Sequence, residues 1–377
     1  MDIPFNKPFL TGNETKYIEK AVLSQKISGD GNYTKLCHEF FQNRYGFKKA
    51  LLTTSCTDAL EMAAILLDIK EGDEVIIPSY TFVSTANAFV LRGAKIVFID
   101  SNKDHPNMNV DLIENLITDK TKAIVPVHYA GMACEMDKIM SIAKKYNLFV
   151  VEDAAQAVDS FYKGKPLGSF GHMSTFSFHE TKNIICGEGG MLVINDDRFI
   201  ERAEIIREKG TNRSQFSRGE VNKYGWMDIG SSFLPSDVIA AFLYAQLEKI
   251  EEIQAKRKFI WEKYYSELKH LEDKGIIELP KLPSDCTNNA HLFFLIIQSL
   301  EERNNYLDYM RNNGVHPVFH YLSLHKSPYY EYKHDGRELI ESDRYTNTLV
   351  RLPLFFSLEN KEIEYIIEKT VSYFNLF

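Results

Sequence analysis

The chain has 377 residues, of which 44% are hydrophobic and 25% charged, as in an ordinary globular protein rather than a disordered one. A chain of this length is expected to form a large domain and a smaller one rather than a single small core. The formal net charge of −8 gives no general attraction to a phosphate backbone, so we expect no nucleic-acid partner.

The apolar runs and the cysteines predict the cellular compartment of the protein. No basic segment followed by an apolar run opens the sequence, so we expect no signal peptide. Runs such as Ile124–Val127 and Leu148–Val151 are far too short to cross a bilayer. The five scattered cysteines lack metal-ligand spacing, which favours reduced thiols and no metal site. These features predict a cytoplasmic protein without membrane insertion.

Short β-branched runs alternate with helical patterns from about residue 50 to residue 194. The predicted buried strands are Ala50–Thr54, Glu74–Pro78, Lys95–Asp100, Lys122–His128 and Leu148–Asp153. The predicted helices between them are Thr57–Leu67, Ser84–Leu91, Val110–Ile117 and Met136–Tyr146. This alternation is typical of a largely parallel sheet with helices on both faces. Strands at Met173–Phe178 and Gly190–Ile194 follow without a long helix between them, which favours a hairpin or a crossed pair.

In the second half of the chain the regular alternation of short strands and helices ends. The predicted helices there are Arg198–Arg207, Ser236–Ser266, Leu300–Asn312 and Lys361–Phe374, and the predicted strands are Ile276–Leu279, His291–Ile297 and Val315–Phe319. Between the first two helices, Lys209–Met227 is predicted to be a long loop, and loops of this length are often functional. We therefore predict a large domain over residues 1–250 and a smaller α+β domain over residues 251–377.

An acid follows one of the predicted strands, at the edge where open α/β sheets bind their ligands. Asp153 ends the strand Leu148–Asp153, and Gln156 follows after two alanines. A carboxylate in this place can keep a pyridine nitrogen protonated, which makes the ring a better electron sink. Capping of the next helix by Asp153 explains the residue equally well at this point.

A lysine follows another strand. Lys182 lies in a short turn after Ser177 and His179, and the glycine-rich segment Gly187–Gly190 comes next. A lysine that forms a Schiff base must be desolvated or lie near other charges, so that part of it is neutral. For a single lysine, a surface position in a turn is the commoner explanation. The glycines lack the spacing of a Walker loop or a dinucleotide-binding motif.

Two further strand ends complete the pattern. Ser55 and Cys56 stand at the start of a predicted helix, whose free backbone N–H groups and positive dipole end can bind a phosphate. Plain capping by Ser55 is compatible with that role. Phe82 follows the next strand and can stack on a flat ring, although an aromatic residue there is more often part of a core.

Each feature is modest alone, but their order along the chain is specific. The segments Pro78–Phe98, Ser177–Asn183 and Ile205–Phe216 resemble the DegT/DnrJ/EryC1/StrS sugar aminotransferase family, and the resemblance extends from Ile3 to Phe374. They are most similar to the branch that makes dTDP-4-amino-4,6-dideoxygalactose for enterobacterial common antigen. The resemblance implies an α/β protein of aspartate-aminotransferase-like fold type I, with a large pyridoxal 5′-phosphate (PLP) domain, mostly parallel-sheet, and a smaller C-terminal domain.

The resemblance also implies roles for individual residues. Lys182 would hold PLP as a Schiff base and move the proton between the donor carbon and the cofactor. Asp153 would pair with the pyridinium nitrogen, Gln156 would lie beside the ring and its phenolic oxygen, and Phe82 would stack on the ring. The phosphate contacts would be Ser55, Cys56 and Ser177, with His179 close to the phosphate or the substrate. Arg213, His320 and Tyr321 would shape the sugar-nucleotide site, although a structural histidine explains His320 equally well.

One segment departs from the family. Members often carry an asparagine that reaches the cofactor phosphate of the partner subunit, whereas this chain has Gly230–Pro235 in that place, with Ser232 as the available polar residue. Relatives of the family build each active site from two chains. The resemblance therefore implies a homodimer with shared sites, and it leaves the cross-subunit phosphate ligand open.

The implied reaction is a ping-pong transfer of the amino group of L-glutamate to the C4 keto group of dTDP-4-keto-6-deoxyglucose. A UDP-linked or a 3-keto sugar is the nearest alternative substrate. A related sugar dehydratase would carry histidine in place of Lys182, and a regulatory relative without turnover would not need Ser55, Asp153, Gln156 and Lys182 together. A nicotinamide dehydrogenase is disfavoured because no Gly-x-Gly-x-x-Gly follows the first strand.

Overall fold

The computed structural model of the chain describes residues 1–283 and 285–375. Its strands are β1 (Lys49–Thr53), β2 (Glu74–Pro78), β3 (Lys95–Ile99), β4 (Thr121–Ile124), β5 (Phe149–Asp153), β6 (Phe161–Tyr162), β7 (Lys165–Pro166), β8 (Met173–Ser177), β9 (Gly190–Ile194), β10 (Phe293–Ile296) and β11 (Leu349–Leu352). Its helices are α1 (Glu14–Leu23), α2 (Asn32–Tyr45), α3 (Cys56–Leu66), α4 (Val83–Val90), α5 (Met136–Tyr146), α6 (Ile200–Arg207), α7 (Arg213–Ser217), α8 (Asp237–Leu247), α9 (Ile250–Asp273), α10 (Leu300–Asn312), α11 (Ile340–Thr348) and α12 (Asn360–Phe374).

Seven strands form the central sheet in the order β1-β9-β8-β5-β4-β2-β3. The pairs from β3 to β8 are parallel, whereas β9 runs antiparallel to both of its neighbours, β8 and β1. The expected α/β fold with a mostly parallel sheet is confirmed, and it matches fold type I. The expected hairpin of the last two strands is confirmed as well, since β8 pairs with β9 from Met173 opposite Ile194 to Ser177 opposite Gly190.

The sheet is buried on both faces because its strands carry apolar residues at consecutive positions. Successive side chains of a strand point to opposite faces, so Val150 packs into one core and Val151 into the other. Helices α2, α5 and α8 cover the first face, and α3, α4 and α6 cover the second. This arrangement leaves the carboxyl ends of the parallel strands together at one edge of the sheet.

The C-terminal part has its own core. The antiparallel pair β10–β11 packs with α9, α10 and α12 around Trp261, Phe293 and Tyr306. The N-terminal residue Ile3 joins this core, and its backbone bonds to Gly314. The division of the chain at residue 250 stays a prediction, and residues 284, 376 and 377 of the predicted small domain lie outside the described residues.

Several predicted elements differ from the structure. The single helix predicted over 236–266 is two helices, α8 and α9, because Lys249 leaves the helical conformation (φ −112°, ψ 13°) between them. The first turns of α9 pack against the large sheet and its later turns against the C-terminal core, a change of partner that helical periodicity cannot reveal. The helix predicted over 110–117 is two 3-10 turns, Val110–Leu112 and Glu114–Leu116.

The prediction of strands over 276–279 and 315–319 is also wrong. Both segments make only isolated bridges, Glu278 with Ile296, Val315 with Ile3, and Val318 with Arg351. Sequence patterns missed α1, α2, α11, β6, β7 and β11, and the predicted loop over 209–227 contains the short helix α7. No helix within the described residues is long and apolar enough to cross a membrane.

Candidate active site

A cavity of about 510 Å³ opens at the carboxyl ends of the parallel strands, where α/β sheets bind their ligands. It is walled by residues that follow β1, β2, β5 and β8, together with residues of the C-terminal part. The predicted site residues that line it are Ser55, Cys56, Phe82, Asp153, Gln156, Ser177, His179, Lys182, His320 and Tyr321. The structure therefore brings together side chains that are up to 266 positions apart in the sequence, while their individual roles stay predictions.

Asp153 is a buried carboxylate at the end of β5, with only 5% of its surface exposed. Its Oδ2 accepts a hydrogen bond from Thr85 Oγ1 at 2.7 Å, and its Oδ1 accepts one from the backbone N of Ala155 at 3.1 Å. Burial raises the pKa of Asp153, and these two hydrogen bonds limit the rise because they favour the ionised form. A cationic partner in the cavity would therefore stabilise a charge that the protein has buried.

The second component is the N-terminus of α3. Ser55 caps this helix, since its Oγ accepts a hydrogen bond from Asp58 N at 3.0 Å, and the next N–H groups are left for a ligand. Gly190 of β9 lies so close that a Cβ there would collide with the backbone of Ser55 and Cys56. Ser177, paired with Gly190 across the β8–β9 hairpin, brings a hydroxyl to the same place. Together these groups offer the donors that the predicted phosphate contact requires, and the contact itself stays a prediction.

Lys182 lies in the turn after β8, where its backbone N bonds to His179 O at 2.9 Å. Within residues 1–283 and 285–375, its Nζ has no hydrogen bond and no ion pair. The positive charge of Lys182 nevertheless acts on other groups of the cavity, since its effect is to lower the pKa of both Asp153 and His291. A lysine amine without a partner, close to a buried acid, is suited to condense with a carbonyl group.

Gln156 and Tyr321 link the two parts of the chain across the cavity. Gln156 Oε1 accepts a hydrogen bond from Ala130 N at 2.6 Å, and its Nε2 donates to Tyr321 Oη at 3.0 Å. The Tyr321 ring lies 5.8 Å from the ring of Phe82, which is 55% exposed. Because its amide is fixed at both ends, Gln156 has a defined orientation towards any ring bound beside Asp153.

His179 and Arg213 are more exposed than the other predicted residues. His179 Nδ1 lies 3.0 Å from Thr181 Oγ1, and its Nε2 lies 3.6 Å from Glu188 Oε1 at the rim of the cavity. Arg213 begins α7, pairs with Glu208 at 3.5 Å, and is absent from the lining of the cavity in this chain. Its predicted contact with the sugar nucleotide stays a prediction.

His291 lines the cavity but was not predicted from the sequence. Its Nδ1 lies 2.9 Å from Asn183 Oδ1. The amide nitrogen of Asn183 donates to Gln254 and to Asn289, so its oxygen must accept, and the proton must sit on Nδ1 of His291. Burial, and the charges of Lys182 and Arg257, hold the pKa of His291 well below its ordinary value. His291 therefore presents a neutral imidazole to the cavity.

Arg351 is the second residue that the sequence reasoning missed. It lies on β11, lines the cavity and is only 5% exposed. Its Nε donates to Tyr129 Oη at 3.1 Å, and the carbonyl of His320 accepts hydrogen bonds from Tyr80 and from Tyr129 nearby. Burial lowers the pKa of His320 to about 4, and the charge of Arg351 contributes. A charged residue inside the apolar run 349–354 was the available sequence signal.

Residues 8–371, nearly the whole chain, match the profile of one protein family. The chain belongs to the DegT/DnrJ/EryC1/StrS aminotransferase family. The family resemblance drawn from the sequence is thereby confirmed. Among individual relatives, GDP-perosamine synthase of Escherichia coli O157:H7 is 33% identical over 376 residues, which cover 99% of each protein.

Solved structures of aminotransferases have the same fold. PseC of Helicobacter pylori, an aminotransferase involved in the biosynthesis of pseudoaminic acid, superimposes with a TM-score of 0.91 at 25% identity, covering 100% of each chain. NtdA of Bacillus subtilis, solved with the cofactor PMP bound, superimposes with a TM-score of 0.87 at 26% identity, covering 97% of this chain and 83% of NtdA. PMP is the amino form of PLP, so the expected cofactor is confirmed at the level of the DegT/DnrJ/EryC1/StrS aminotransferases.

The cavity of this family member fits that cofactor. Asp153 provides a buried carboxylate for a protonated ring nitrogen, and the N-terminus of α3 with Ser55 provides donors for a phosphate. Glycine at position 190 lets β9 approach the start of α3, since a Cβ there would collide with the backbone of Ser55 and Cys56. Lys182 is the lysine of the cavity whose amine is free to react.

Proposed function

We propose that this chain is a PLP-dependent aminotransferase that converts dTDP-4-keto-6-deoxy-D-glucose and L-glutamate to dTDP-4-amino-4,6-dideoxy-D-galactose and 2-oxoglutarate. The observation that carries the chemistry is the pair formed by Lys182, with its free amine, and Asp153, a buried carboxylate, in one cavity. In this proposal residues 1–250 bind PLP, and residues 251–377 close the cavity on the substrate side.

Several residues have defined tasks in the proposed reaction. When bound, PLP supplies an aldehyde that condenses with amines and a ring that withdraws electrons from the attached carbon. Lys182 Nζ would accept the proton from the α-carbon of the donor, hold it, and return it later in the same half-reaction. Asp153 would keep the ring nitrogen protonated, and Thr85 Oγ1 donates a hydrogen bond to Oδ2 of this carboxylate. The same proton movements, run in reverse, place the amino group on the sugar.

The remaining contacts orient the two reactants. Ser55, Cys56 and Ser177, which line the cavity, would hold the phosphate, and His179 lines the same cavity at its rim. Gln156 would contact the phenolic oxygen of the ring, and Phe82 would cover one ring face. Tyr321, His320 and Arg213 are proposed to contact the sugar nucleotide. Of these, Arg213 would have to act in the site of the partner subunit, because it is absent from the lining of the cavity of its own chain.

The choice of a dTDP-linked sugar rests on sequence strings. The segments 78–98, 177–183 and 205–216 resemble the branch that makes dTDP-4-amino-4,6-dideoxygalactose for enterobacterial common antigen, and the product would serve such surface polysaccharides or an O-antigen. A GDP-linked sugar is the second candidate, favoured by the identity of 33% with GDP-perosamine synthase over 99% of both proteins. UDP-linked and 3-keto sugars remain the alternatives from sequence reasoning.

We propose that the enzyme works in the cytoplasm as a homodimer with shared active sites. The segment between α7 and α8 supports this assembly, since Tyr224, Trp226, Met227 and Ile229 are all exposed large hydrophobic side chains. Trp226 is 84% exposed, and clusters of such residues commonly mark subunit interfaces. Ser232, the candidate for the cross-subunit phosphate contact, is exposed in the same segment.

The decisive experiment is an assay of the product. The purified protein is incubated with PLP, L-glutamate and dTDP-4-keto-6-deoxyglucose, and the nucleotide sugar is analysed by proton NMR, with the GDP-linked and UDP-linked keto sugars in parallel. A C4 amine with axial, galacto coupling on the dTDP sugar supports the proposal. If glutamate bleaches the cofactor but only another nucleotide sugar is aminated, the substrate is wrong. If glutamate leaves the cofactor unchanged, the amino donor is wrong.

A further inference from the structure

Arg351 is a buried cation for which the protein supplies no anion. No ion pair within the described residues involves it, and its one side-chain hydrogen bond is from Nε to Tyr129 Oη. Its Nη2 is buried without a hydrogen-bond partner. Removing a guanidinium from water is costly unless its donors are satisfied. A buried arginine of this kind in a cavity wall indicates that a ligand supplies the missing acceptor.

The surroundings restrict how that ligand can approach. The guanidinium carbon lies 4.7 Å from the ring centre of Tyr321 and 5.1 Å from that of Tyr129, so aromatic rings cover part of its surface. The donors that remain are the planar N–H groups at its edge, which match the two oxygens of a carboxylate. The hydrogen bond from Gln156 fixes Tyr321 and thereby holds this geometry.

Arg351 also lies near the groups that would carry out the chemistry. Arg351, Lys182 and His291 line the same cavity, and the charges of both cations contribute to lowering the pKa of His291. Through Tyr321 it is one contact away from Gln156. An anion bound by Arg351 in this part of the cavity would suit a reactant that carries its charge next to the reacting carbon.

Only one reactant class meets that condition. In an amino acid the α-carboxylate is bonded to the reacting carbon, whereas in a nucleotide sugar the diphosphate is attached across the ring from C4. Resting on the proposed aminotransferase function, we propose that Arg351 binds the α-carboxylate of the amino donor and of the 2-oxo acid that it becomes. Arg351 thus selects α-amino acids over other amines, and the nucleotide sugar binds without its charge.

The test separates the two half-reactions of the holoenzyme. Wild type, Arg351→Lys and Arg351→Gln are mixed with L-glutamate, or with the amino-sugar nucleotide as amino donor, and the cofactor absorbance is followed. For Arg351→Gln we expect kcat/KM for L-glutamate to fall about tenfold or more, while that for the amino sugar stays within about twofold. Arg351→Lys keeps the charge without the planar fork and should fall in between. L-Isoglutamine, whose α-carboxylate is an amide, should be a poor donor for wild type and lose little in Arg351→Gln.

A binding measurement and a control complete the design. By calorimetry, 2-oxoglutarate should bind the pyridoxamine form of Arg351→Gln about tenfold more weakly than that of wild type. Arg303→Gln is the matched control, because Arg303 is a buried arginine without a carboxylate partner that lies outside the cavity lining. It should leave both half-reactions unchanged.

Three results would overturn the inference: equal losses in both half-reactions, unchanged glutamate kinetics in Arg351→Gln, or a loss that follows the γ-carboxylate, seen as an altered preference for L-glutamate over L-glutamine. If Arg351→Gln does not fold, Arg351→Lys gives the same comparison. Failure of the proposed function has a different signature, since wild type would then carry out neither half-reaction.

Discussion

Replacing Asp153 with asparagine tests the electrostatic centre of the proposed site. The substitution keeps the shape and removes the charge. Asparagine can still accept from Ala155 N through its oxygen, and its amide nitrogen would take the place of the Oδ2 that now accepts from Thr85. The hydroxyl of Thr85 can turn and accept instead, so we expect the fold to survive.

The expected loss of rate in Asp153→Asn follows from the charged ring nitrogen that Asp153 would contact. A hydrogen bond to a charged group contributes about 1.5–3 kcal/mol, which corresponds to a loss of about 10- to 150-fold in rate when it acts in the transition state. Thr85→Val removes one of two donors to the carboxylate, so its loss should be smaller, about tenfold or less. The hydrogen bond from Thr85 lowers the pKa of Asp153, so Thr85→Val should move the low-pH limb of activity to higher pH.

The assay is a single turnover with saturating L-glutamate, followed by cofactor absorbance in a stopped-flow instrument between pH 5 and 9. Thr34→Val is the matched control: Thr34 Oγ1 donates to Asp237 Oδ1 at 2.8 Å, and both residues are buried outside the cavity. This variant should lose stability and keep its rate. Wild-type rate constants in Asp153→Asn, or an equal slowing in Thr34→Val and Thr85→Val, would refute the reasoning.

Three further predictions concern the lysine, the expected phosphate contact and the N-terminal helix. Lys182→Ala should keep the circular dichroism spectrum of wild type and form no product by NMR; any turnover above background would contradict its role. Gly190→Ala should lower the unfolding midpoint and the affinity for PLP, because a Cβ collides with the backbone of Cys56 and overpacking costs about 1–3 kcal/mol; unchanged values in thermal and PLP titrations would contradict this. Burial raises the pKa of Glu14, but hydrogen bonds from Thr11 and other groups lower it by more, so the net shift is downward. The ionised Glu14 therefore stabilises the fold above its ordinary pKa of 4.5, and this stabilisation is lost as the pH falls. Denaturant unfolding of Glu14→Gln should therefore show a deficit at pH 7 that shrinks below about pH 4.5, and a deficit independent of pH would count against it.

Local pattern was sufficient to predict the sheet edge and the residues along it. The strand pattern predicted β1, β2, β3, β5, β8 and β9 to within one residue at each end, because strands buried on both faces of a sheet are short apolar runs bounded by turn residues. Once the strands are placed, the residues after them must meet at one edge. For this reason Asp153, Lys182 and Ser55 could be grouped into one site before any contact was known.

The sequence alone thus determined the fold class through the local period of its strands and helices, and the family through the resemblance of three segments, 78–98, 177–183 and 205–216. In the opposite wall the resemblance implied His320 and Tyr321, and only the tertiary structure added His291 and Arg351. His291 and Arg351 enter the cavity because the C-terminal core packs against the sheet edge, and the tautomer of His291 depends on Asn183, 108 positions away. The division of one predicted helix into α8 and α9 has the same origin. Contacts between distant parts of the chain decide which residues are buried and which groups form hydrogen bonds. Such contacts depend on pairs of residues that are far apart in the sequence, so no local periodicity predicts them.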